Sequence, residues 1–488
     1  MAVARRPESC SGKSIVVSYS VSEIAHWRTS SSIRIGGYRR CALALVALVI
    51  LIQGSGCTHF TPYYRKDQAR LVAAIADSEI DHRLFLIGDA GEPALTGEPT
   101  LAMLKHHVEL LPDKSTVVFL GDNVYERGMP EAIDVANPVA DAAAKAADAA
   151  ADVADVLLPD VFDSRQEAER HIDAQIDVVR GNGARAVFVP GNHDWDQFEI
   201  GGWDRVLALE EYLDAVAAKR GVHVELLPRG GCPGPNRVDL GTRGRLITLD
   251  TQWWLETRAD GKPTPDNNPT KCAHTRAKEV RDALVNELAE AAREKRWVII
   301  GAHHPLESEG PHGGHFDFRT HLFPLKMIEG FLPFYLEWLP LPGLGSLVVG
   351  IRACCSLSPQ DTANRRNRHM RASLVAPMKE AARDNAAPLV FAAGHDHSLQ
   401  VFESNEGPRF TLVSGLGSSV KASAVGSNRR TLFAHSSPLN PGFVQIDFAR
   451  NGEVRLAVVE KTIAHEFGEE VYSRYLHPSA VRSRKARR

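Results

Sequence analysis

The segment "VVFLGDNVYERG", residues 117–128, joins an apolar run to polar side chains that a buried strand does not need. The β-branched and aromatic residues favour a strand, and Gly121 and Asp122 mark the loop in which it ends. Ligand sites of open α/β sheets lie at the carboxyl ends of their strands. Asp122 is therefore a candidate site residue, although aspartate after glycine is also common in turns. Tyr125, three residues later, has no such explanation from turn chemistry.

Four further segments repeat this pattern of an apolar run followed by glycine and a metal-competent side chain. They are "RLFLIGDAGEP" (83–93), "RAVFVPGNHDWD" (185–196), "RWVIIGAHHPLES" (296–308) and "PLVFAAGHDHSLQ" (388–400). Helix-like segments such as 277–294 and 371–384 lie between them, so the order is broadly βαβ. Alternating segments after residue 400 predict strands of a second sheet.

The strand ends together offer carboxylate, amide, imidazole and phenolate groups. The candidate ligands are Asp89, Asp122, Tyr125, Asn192, His303, His395 and His397. Asp89, Asn192 and His303 each have a simple explanation as a turn or capping residue, but the equivalent positions of all these candidates in successive units do not. Seven ligands with one shared carboxylate would serve two metal ions, the arrangement that holds the attacking and departing oxygens of a phosphoryl transfer.

The motifs "GDAG", "GDNVY", "GNHD", "GAHHP" and "GHDH", in this order, resemble the five sequence blocks of the calcineurin-like metallophosphoesterases. Within that superfamily they resemble the purple acid phosphatases, the small tartrate-resistant type in particular. Most other branches have Asp-x-His in the first block, whereas here Asp89 precedes Ala90 and Gly91, and Tyr125 replaces the missing imidazole. The resemblance implies an α/β fold with a two-sheet β-sandwich core flanked by helices, in αββα layers.

The resemblance also implies how two metal ions share the ligands. The first ion is assigned Asp89, Asp122, Tyr125 and His397. The second is assigned the bridging Asp122 with Asn192, His303 and His395. A phenolate suits Fe(III), whereas imidazole and amide oxygen suit Fe(II), Zn(II) or Mn(II). In "GAHHP" the spacing to Pro305 selects His303 and leaves His304 beside it.

The implied activity is hydrolysis of phosphomonoesters, an acid-phosphatase reaction in which hydroxide activated by the metal attacks phosphorus. His193, next to Asn192, is expected to protonate the leaving group, with Asp194 as a possible orienting carboxylate. His312 resembles the family's second histidine on the substrate side. It could equally be a residue of a glycine-rich loop, and His315 competes with it for the role.

Two other classes of function remain open from the sequence. A phosphodiesterase or nucleotide hydrolase on the same scaffold would be expected to have a basic groove and Asp-x-His in the first block. The net charge of −3 gives no reason to expect a nucleic-acid partner. A non-catalytic surface lipoprotein with a structural metal site is the other possibility, but such a site has no use for His193.

The N-terminus predicts export. A basic flank at Arg39 and Arg40, an apolar run over 41–52 and small residues before Cys57 form the layout of a secretory signal that resembles a lipoprotein signal. We expect a targeting segment over 1–57 and attachment to a membrane through lipidated Cys57, or release as a periplasmic or extracellular protein. An uncleaved anchor and plain cleavage near Gly56 are the alternatives.

We expect the metallophosphoesterase domain over 80–465 and a basic tail over 466–488. Two insertions interrupt the domain, at about 136–180 and 316–369. The second carries an uncharged run over 338–351, which fits a lid over the site, a patch resting on a membrane, or a buried packing loop.

Cysteine usage is consistent with export but does not prove it. In an oxidising compartment Cys232 and Cys272 could pair, although sequence alone does not fix the connectivity.

Overall fold

The computed structural model of the chain describes residues 61–131, 165–198, 201–256, 272–325, 338–341, 343–356, 358–418 and 422–477. These residues belong to one compact unit, Ser55–Arg488. The targeting segment and residues 136–164 of the first insertion lie outside the described ranges, so their predictions stay untested. Among the described residues, no helix is both long and apolar enough to cross a membrane.

Strands form most of the framework. In chain order they are β1 (Tyr63–Tyr64), β2 (Ile80–Ile87), β3 (Ser115–Phe119), β4 (Arg185–Phe188), β5 (His223–Leu226), β6 (Asn236–Leu240), β7 (Gly244–Thr248), β8 (Trp297–Gly301), β9 (Val390–Ala393), β10 (Leu399–Glu403), β11 (Phe410–Ser414), β12 (Thr431–His435), β13 (Gly442–Ala449), β14 (Val454–Thr462) and β15 (His465–His477). Strand β15 thus extends twelve residues beyond position 465, into the segment that the sequence analysis assigned to the tail.

Helices connect several of the strands. They are α1 (Pro99–Glu109), α2 (Arg165–Ile176), α3 (Gly202–Arg220), α4 (Thr251–Glu256), α5 (Ala277–Arg293), α6 (Phe318–Leu322), α7 (Leu344–Cys355) and α8 (Arg365–Arg383). Local sequence sets several of their ends. Pro99 occupies the first turn of α1, and the Asn364 side chain accepts a hydrogen bond from Arg366 N at the start of α8.

The strands form two sheets. One has the order β15-β14-β13-β2-β3-β4-β5, and the other has the order β1-β12-β10-β11-β9-β8-β7-β6. Strands β2 to β5 are mutually parallel, as are β7, β8, β9 and β11. Parallel pairing follows from the crossover segments that link successive strands.

Three apolar cores define the layers. Side chains such as Leu86, Val118 and Ile299 fill the space between the two sheets. Helices α1, α2 and α3 pack on the outer face of the first sheet, and helices α4, α5 and α8 pack on the outer face of the second. The expected α/β fold, with two sheets between layers of helices, is therefore confirmed. Helix α2 falls in the segment first assigned to an insertion, yet its Ala168, Ile172 and Ile176 are part of this core.

The described part of the second insertion includes α6 and α7. Helix α7 buries only Gly345 and Val349, whereas Leu344, Leu347 and Ile351 are about half exposed. This helix is therefore not the buried packing loop that was one interpretation of the sequence.

The loop-rich region between β5 and α5 is cross-linked. Cys232 and Cys272 form a disulfide with their Cα atoms 5.6 Å apart, as the sequence suggested. Cys354 and Cys355, at the end of α7, are free and exposed.

Both sheets bring their carboxyl ends to one edge of the molecule. Gly88 N, just after β2, donates a hydrogen bond to Ser414 O at the end of β11, with a separation of 2.7 Å. Because this bond joins one sheet to the other, the loops that follow β2, β3, β4, β8 and β9 meet at a single place. All five loops carry candidate ligands.

Candidate metal centre

Sharp turns at the strand ends place the ligand side chains. Asp89, Asp122 and His395 have backbone φ angles of 58°, 53° and 71°. Such left-handed conformations are uncommon for residues other than glycine and cluster at functional sites. Glycines allow the loops to approach closely, because a Cβ on Gly191 would lie 2.2 Å from Asp122 Oδ1.

Tyr125 is the centre of one group of ligands. Its Oη lies 3.1 Å from each of Asp89 Oδ1, Asp122 Oδ2 and His397 Nε2. The tyrosine is only 3% exposed. One phenolic proton can satisfy one of these three partners, whereas a cation in place of the proton would satisfy them all.

His303 is the centre of a second group. Its Nε2 lies 2.9 Å from Asn192 Oδ1, 3.3 Å from Asp122 Oδ1 and 3.2 Å from His395 Nδ1. Asp122 therefore contributes one carboxylate oxygen to each group. The structure brings all seven predicted ligands together, with Asp122 shared between the two halves.

Outer hydrogen bonds orient the two imidazoles. His303 Nδ1 donates to Leu120 O over 2.8 Å, and His395 Nε2 donates to Gln360 O over 3.2 Å. These partners assign the tautomers and leave His303 Nε2 and His395 Nδ1 as lone-pair donors. Once His303 is neutral, the lone pairs of two imidazoles, an amide oxygen and a carboxylate converge on one point. A bound cation would take the place of the proton that His303 otherwise holds beside Asp122, so the donor set fits a metal ion.

The electrostatics of the site also favour added positive charge. Burial raises the pKa of Tyr125 well above its usual value, and the Asp122 and Asp89 carboxylates raise it further. Burial alone would lower the pKa of His303, but the Asp122 carboxylate raises it to about 9. Burial likewise opposes ionisation of Asp122, yet His303 and His193 hold its pKa far below the usual range. A metal cation would reverse the preference of the phenol for its neutral form.

The structure distinguishes the two adjacent histidines of "GAHHP". His304 lies close enough to His303 and His395 for the three to be considered a metal-binding group. Both of its ring nitrogens are engaged elsewhere, however: Nδ1 lies 2.9 Å from Thr251 Oγ1, and Nε2 bonds Gln360 Oε1. His303 is therefore the better ligand, and His304 supports the loop behind it.

His193 lies over the shared carboxylate. Its ring centroid is 4.4 Å from that of Tyr125, and its Nε2 is 4.0 Å from Asp122 Oδ2. Nδ1 donates to the backbone oxygen of Glu126 over 2.5 Å. Sequence reasoning missed Glu126, because a backbone carbonyl leaves no signal in the residue type.

Asp194 does not orient His193, so that prediction was wrong. The Asp194 carboxylate accepts hydrogen bonds from Gly191 N at 2.7 Å and from Asn123 N at 3.0 Å. It thereby ties the loop after β4 to the loop after β3. Burial raises the pKa of this carboxyl to about 7.

His312 lies beside the second group, against His395. Its ring centroid is 4.0 Å from that of His395, and its side chain is 27% exposed. Its Nδ1 lies 2.8 Å from an oxygen of Asp361. His315 lies against Gly426. Neither Asp361 nor Gln360 was singled out from sequence, because both lie in the insertion, far along the chain from the histidines they contact.

Comparisons with known proteins found only distantly similar solved structures. No family model and no curated protein matches the chain. One similar structure is GAP50, the anchor in the inner membrane complex of Plasmodium, at 14% identity and a TM-score of 0.46 over 82% of this chain and 90% of that chain. Another is a dimetal phosphatase from Danio rerio, at 12% identity and a TM-score of 0.35 over 82% of this chain and 100% of that chain. Neither similarity at these values bears on function, which is inferred below from the site itself.

We expect Gly191→Ala to weaken metal binding, because the added Cβ would overlap Asp122 Oδ1 and N, both 2.2 Å away. Displacing the shared carboxylate should lower metal affinity on the order of 10–100-fold, to be measured by metal analysis after equilibrium dialysis. Gly350→Ala in α7 is the matched control, since nothing lies within 4 Å of its Cβ position. Equal metal content in the two variants and the wild type would contradict the placement of Asp122 as a ligand.

Proposed function

We propose that this protein is a dinuclear-metal phosphohydrolase that cleaves phosphomonoesters. The observation that carries the proposal is the sharing of Asp122 between two groups of metal-competent side chains. A bridging carboxylate holds two ions a few ångströms apart, as in-line phosphoryl transfer requires. The ordered motifs support assignment to the calcineurin-like metallophosphoesterase superfamily, and Tyr125 favours its purple acid phosphatase branch.

The two groups differ in the ions that they suit. Asp89, Asp122 and Tyr125 present hard oxygen donors, which favour Fe(III), with His397 completing the set. The group around His303 has two imidazoles and an amide oxygen, which favour Fe(II), Zn(II) or Mn(II).

The chain's own residues then manage the substrate and its protons. When bound, the ions would acidify a water molecule for attack on phosphorus and would bind phosphate oxygens. Because His193 Nδ1 donates to Glu126 O, the proton for the leaving oxygen comes from Nε2, on the side of Asp122. His312 has Nδ1 engaged with Asp361, which leaves Nε2 for a phosphate oxygen.

Access to the site favours catalysis over a purely structural role. The His193 and His312 side chains are 15% and 27% exposed, whereas Asp89, Asp122 and His303 are almost fully buried. Two histidines that are not ligands but are open to solvent beside buried ligands suit contact with a substrate. A structural metal site would gain nothing from them.

The activity can be tested directly. The metal-loaded protein is expected to hydrolyse an aryl phosphate in mildly acidic buffer, because a trivalent ion keeps its water acidic there. Removal of metal by a chelator should abolish turnover, and readdition of iron with a divalent ion should restore it. If the protein binds two ions but releases no phosphate, the proposal is contradicted. The metal site would then have a structural role.

We expect His193→Ala to reduce turnover on the order of 10²–10⁴-fold for alkyl phosphates and much less for aryl phosphates. A poor leaving group needs its proton in the transition state, whereas an aryl oxide departs as a stable anion. The measurement is kcat on both substrates at equal metal content. His465→Ala, at an exposed histidine in β15, is the control. Equal losses on the two substrates would remove His193 from the role of general acid.

The iron-loaded protein is expected to be coloured, and Tyr125→Phe should remove the visible band. A phenolate bound to Fe(III) transfers charge to the metal on absorbing visible light, which aspartate and histidine ligands do not do. Absorption spectra of the two proteins at matched iron content provide the measurement. A colourless wild type with full iron would exclude Tyr125 as a ligand and exclude the purple branch, while leaving the two-metal site in place.

A further inference from the structure

The second insertion supplies the group that holds His312. Asp361 Oδ1 lies 2.8 Å from His312 Nδ1, and the Asp361 side chain is only 2% exposed. The guanidinium of Arg352 in α7 donates two hydrogen bonds to the same carboxylate. Nε donates to Oδ2 over 2.7 Å, and Nη2 donates to Oδ1 over 3.0 Å. Ser356 Oγ donates to Oδ2 as well. The carboxylate thus has three side-chain donors, all with defined directions.

The backbone around Asp361 is fixed to the same loop. Thr362 N donates to His312 O over 2.8 Å, so a backbone hydrogen bond joins the two segments next to the side-chain contact. Asp396 Oδ1 accepts from His312 N over 3.1 Å. Gln360 O accepts from the ligand His395. The C-terminal part of the second insertion therefore contacts two histidines of the site, His312 and His395.

The charges fix which atom of His312 faces outward. Burial alone would raise the pKa of Asp361, but hydrogen bonds from His312 and Arg352 hold it well below its usual range. The ionised carboxylate only accepts hydrogen bonds, so His312 must carry a proton on Nδ1. Arg352 is itself restrained, because its guanidinium lies 5.2 Å from the centre of the Phe316 ring. Free rotation of the imidazole would break the contact with Asp361.

We propose that Asp361, held by Arg352, is a positioning residue that sets the tautomer and orientation of His312 for contact with the substrate phosphate. The proposal rests on the phosphohydrolase function proposed above, because it gives His312 its substrate. It makes the insertion part of the active site, with Arg352, the only charged residue of α7, turned inward for this purpose.

The kinetic test uses Asp361→Asn in wild-type and His312→Ala backgrounds. An amide cannot accept from both His312 and Arg352 with the geometry of a carboxylate, so the imidazole loses its support. A displacement of about 1 Å at a reacting group can reduce rates about 10²-fold, and we expect a fall in kcat/KM of that order, with KM rising. In the His312→Ala background the same substitution should have almost no further effect, because Asp361 acts through His312. Additive losses would overturn the proposal.

Milder and matched variants guard against simple misfolding. Arg352→Lys keeps the charge but loses the bidentate hydrogen bond to Asp361, so kcat/KM should fall by less than in Asp361→Asn. In the His312→Ala background this fall should again be absent. Arg319→Ala removes an exposed arginine from α6 of the same insertion and should leave kcat/KM unchanged. Metal content should be unchanged in every variant. A large loss in Arg319→Ala, or loss of metal in Asp361→Asn, would contradict a positioning role.

A spectroscopic measurement separates this proposal from the proposed function. In the zinc-loaded protein with ¹⁵N-labelled histidine, the His312 resonance, assigned by its absence in His312→Ala, should report a proton on Nδ1. In Asp361→Asn the proton should redistribute toward Nε2. Such a change without any phosphatase activity in the wild type would sink the proposed function and leave the positioning of His312 standing. Phosphatase activity in the wild type with an unchanged His312 tautomer in Asp361→Asn would support the proposed function and overturn the positioning role of Asp361.

Discussion

The two oxygens of the Asp122 carboxylate face different groups of ligands, and this division organises the whole site. The backbone at Asp122 is left-handed, and His193 N donates to Oδ1 over 2.9 Å, so the carboxylate cannot rotate away from either group. Its position depends in turn on the close approach of the β3 and β4 loops at Gly191. The fold contributes by aligning the carboxyl ends of two sheets, which Gly88 and Ser414 join by a backbone hydrogen bond.

Sequence reasoning located the candidate ligands because each of them follows an apolar segment that is recognisable as a strand. Asp89, Asn192 and His395 lie at fixed short distances after runs whose β-branched residues and glycines identify strand ends. The layered fold could be anticipated for the same reason, since alternating strands and helices leave few arrangements open. Helix α2 was included in the first insertion because its neighbours in sequence are alanine-rich, while its core contacts become visible only in three dimensions.

The supporting contacts could not be read from the sequence in the same way. His193 and Asp194 are adjacent, yet one side chain lies over Asp122 and the other bonds the backbone at Gly191. Residue type indicates what a side chain can do, but its direction depends on the local backbone. Asp361 contacts His312 across 49 positions, and no periodicity or motif links such a pair. The outer partners of a site are therefore harder to predict than its ligands, even where they are just as specific.

The left-handed backbone at Asp89, Asp122 and His395 has a consequence for the history of the chain. Each such residue destabilises the fold by about 1–3 kcal/mol relative to a relaxed conformation. A cation that binds the native state and not the unfolded chain would offset this cost. In a descendant that no longer met the metal, glycine or asparagine at these positions would be favoured by selection for stability alone. Side chains that strain the backbone and also converge on one point are thus physically distinct from a surface cluster of the same composition, whose residues carry no such cost.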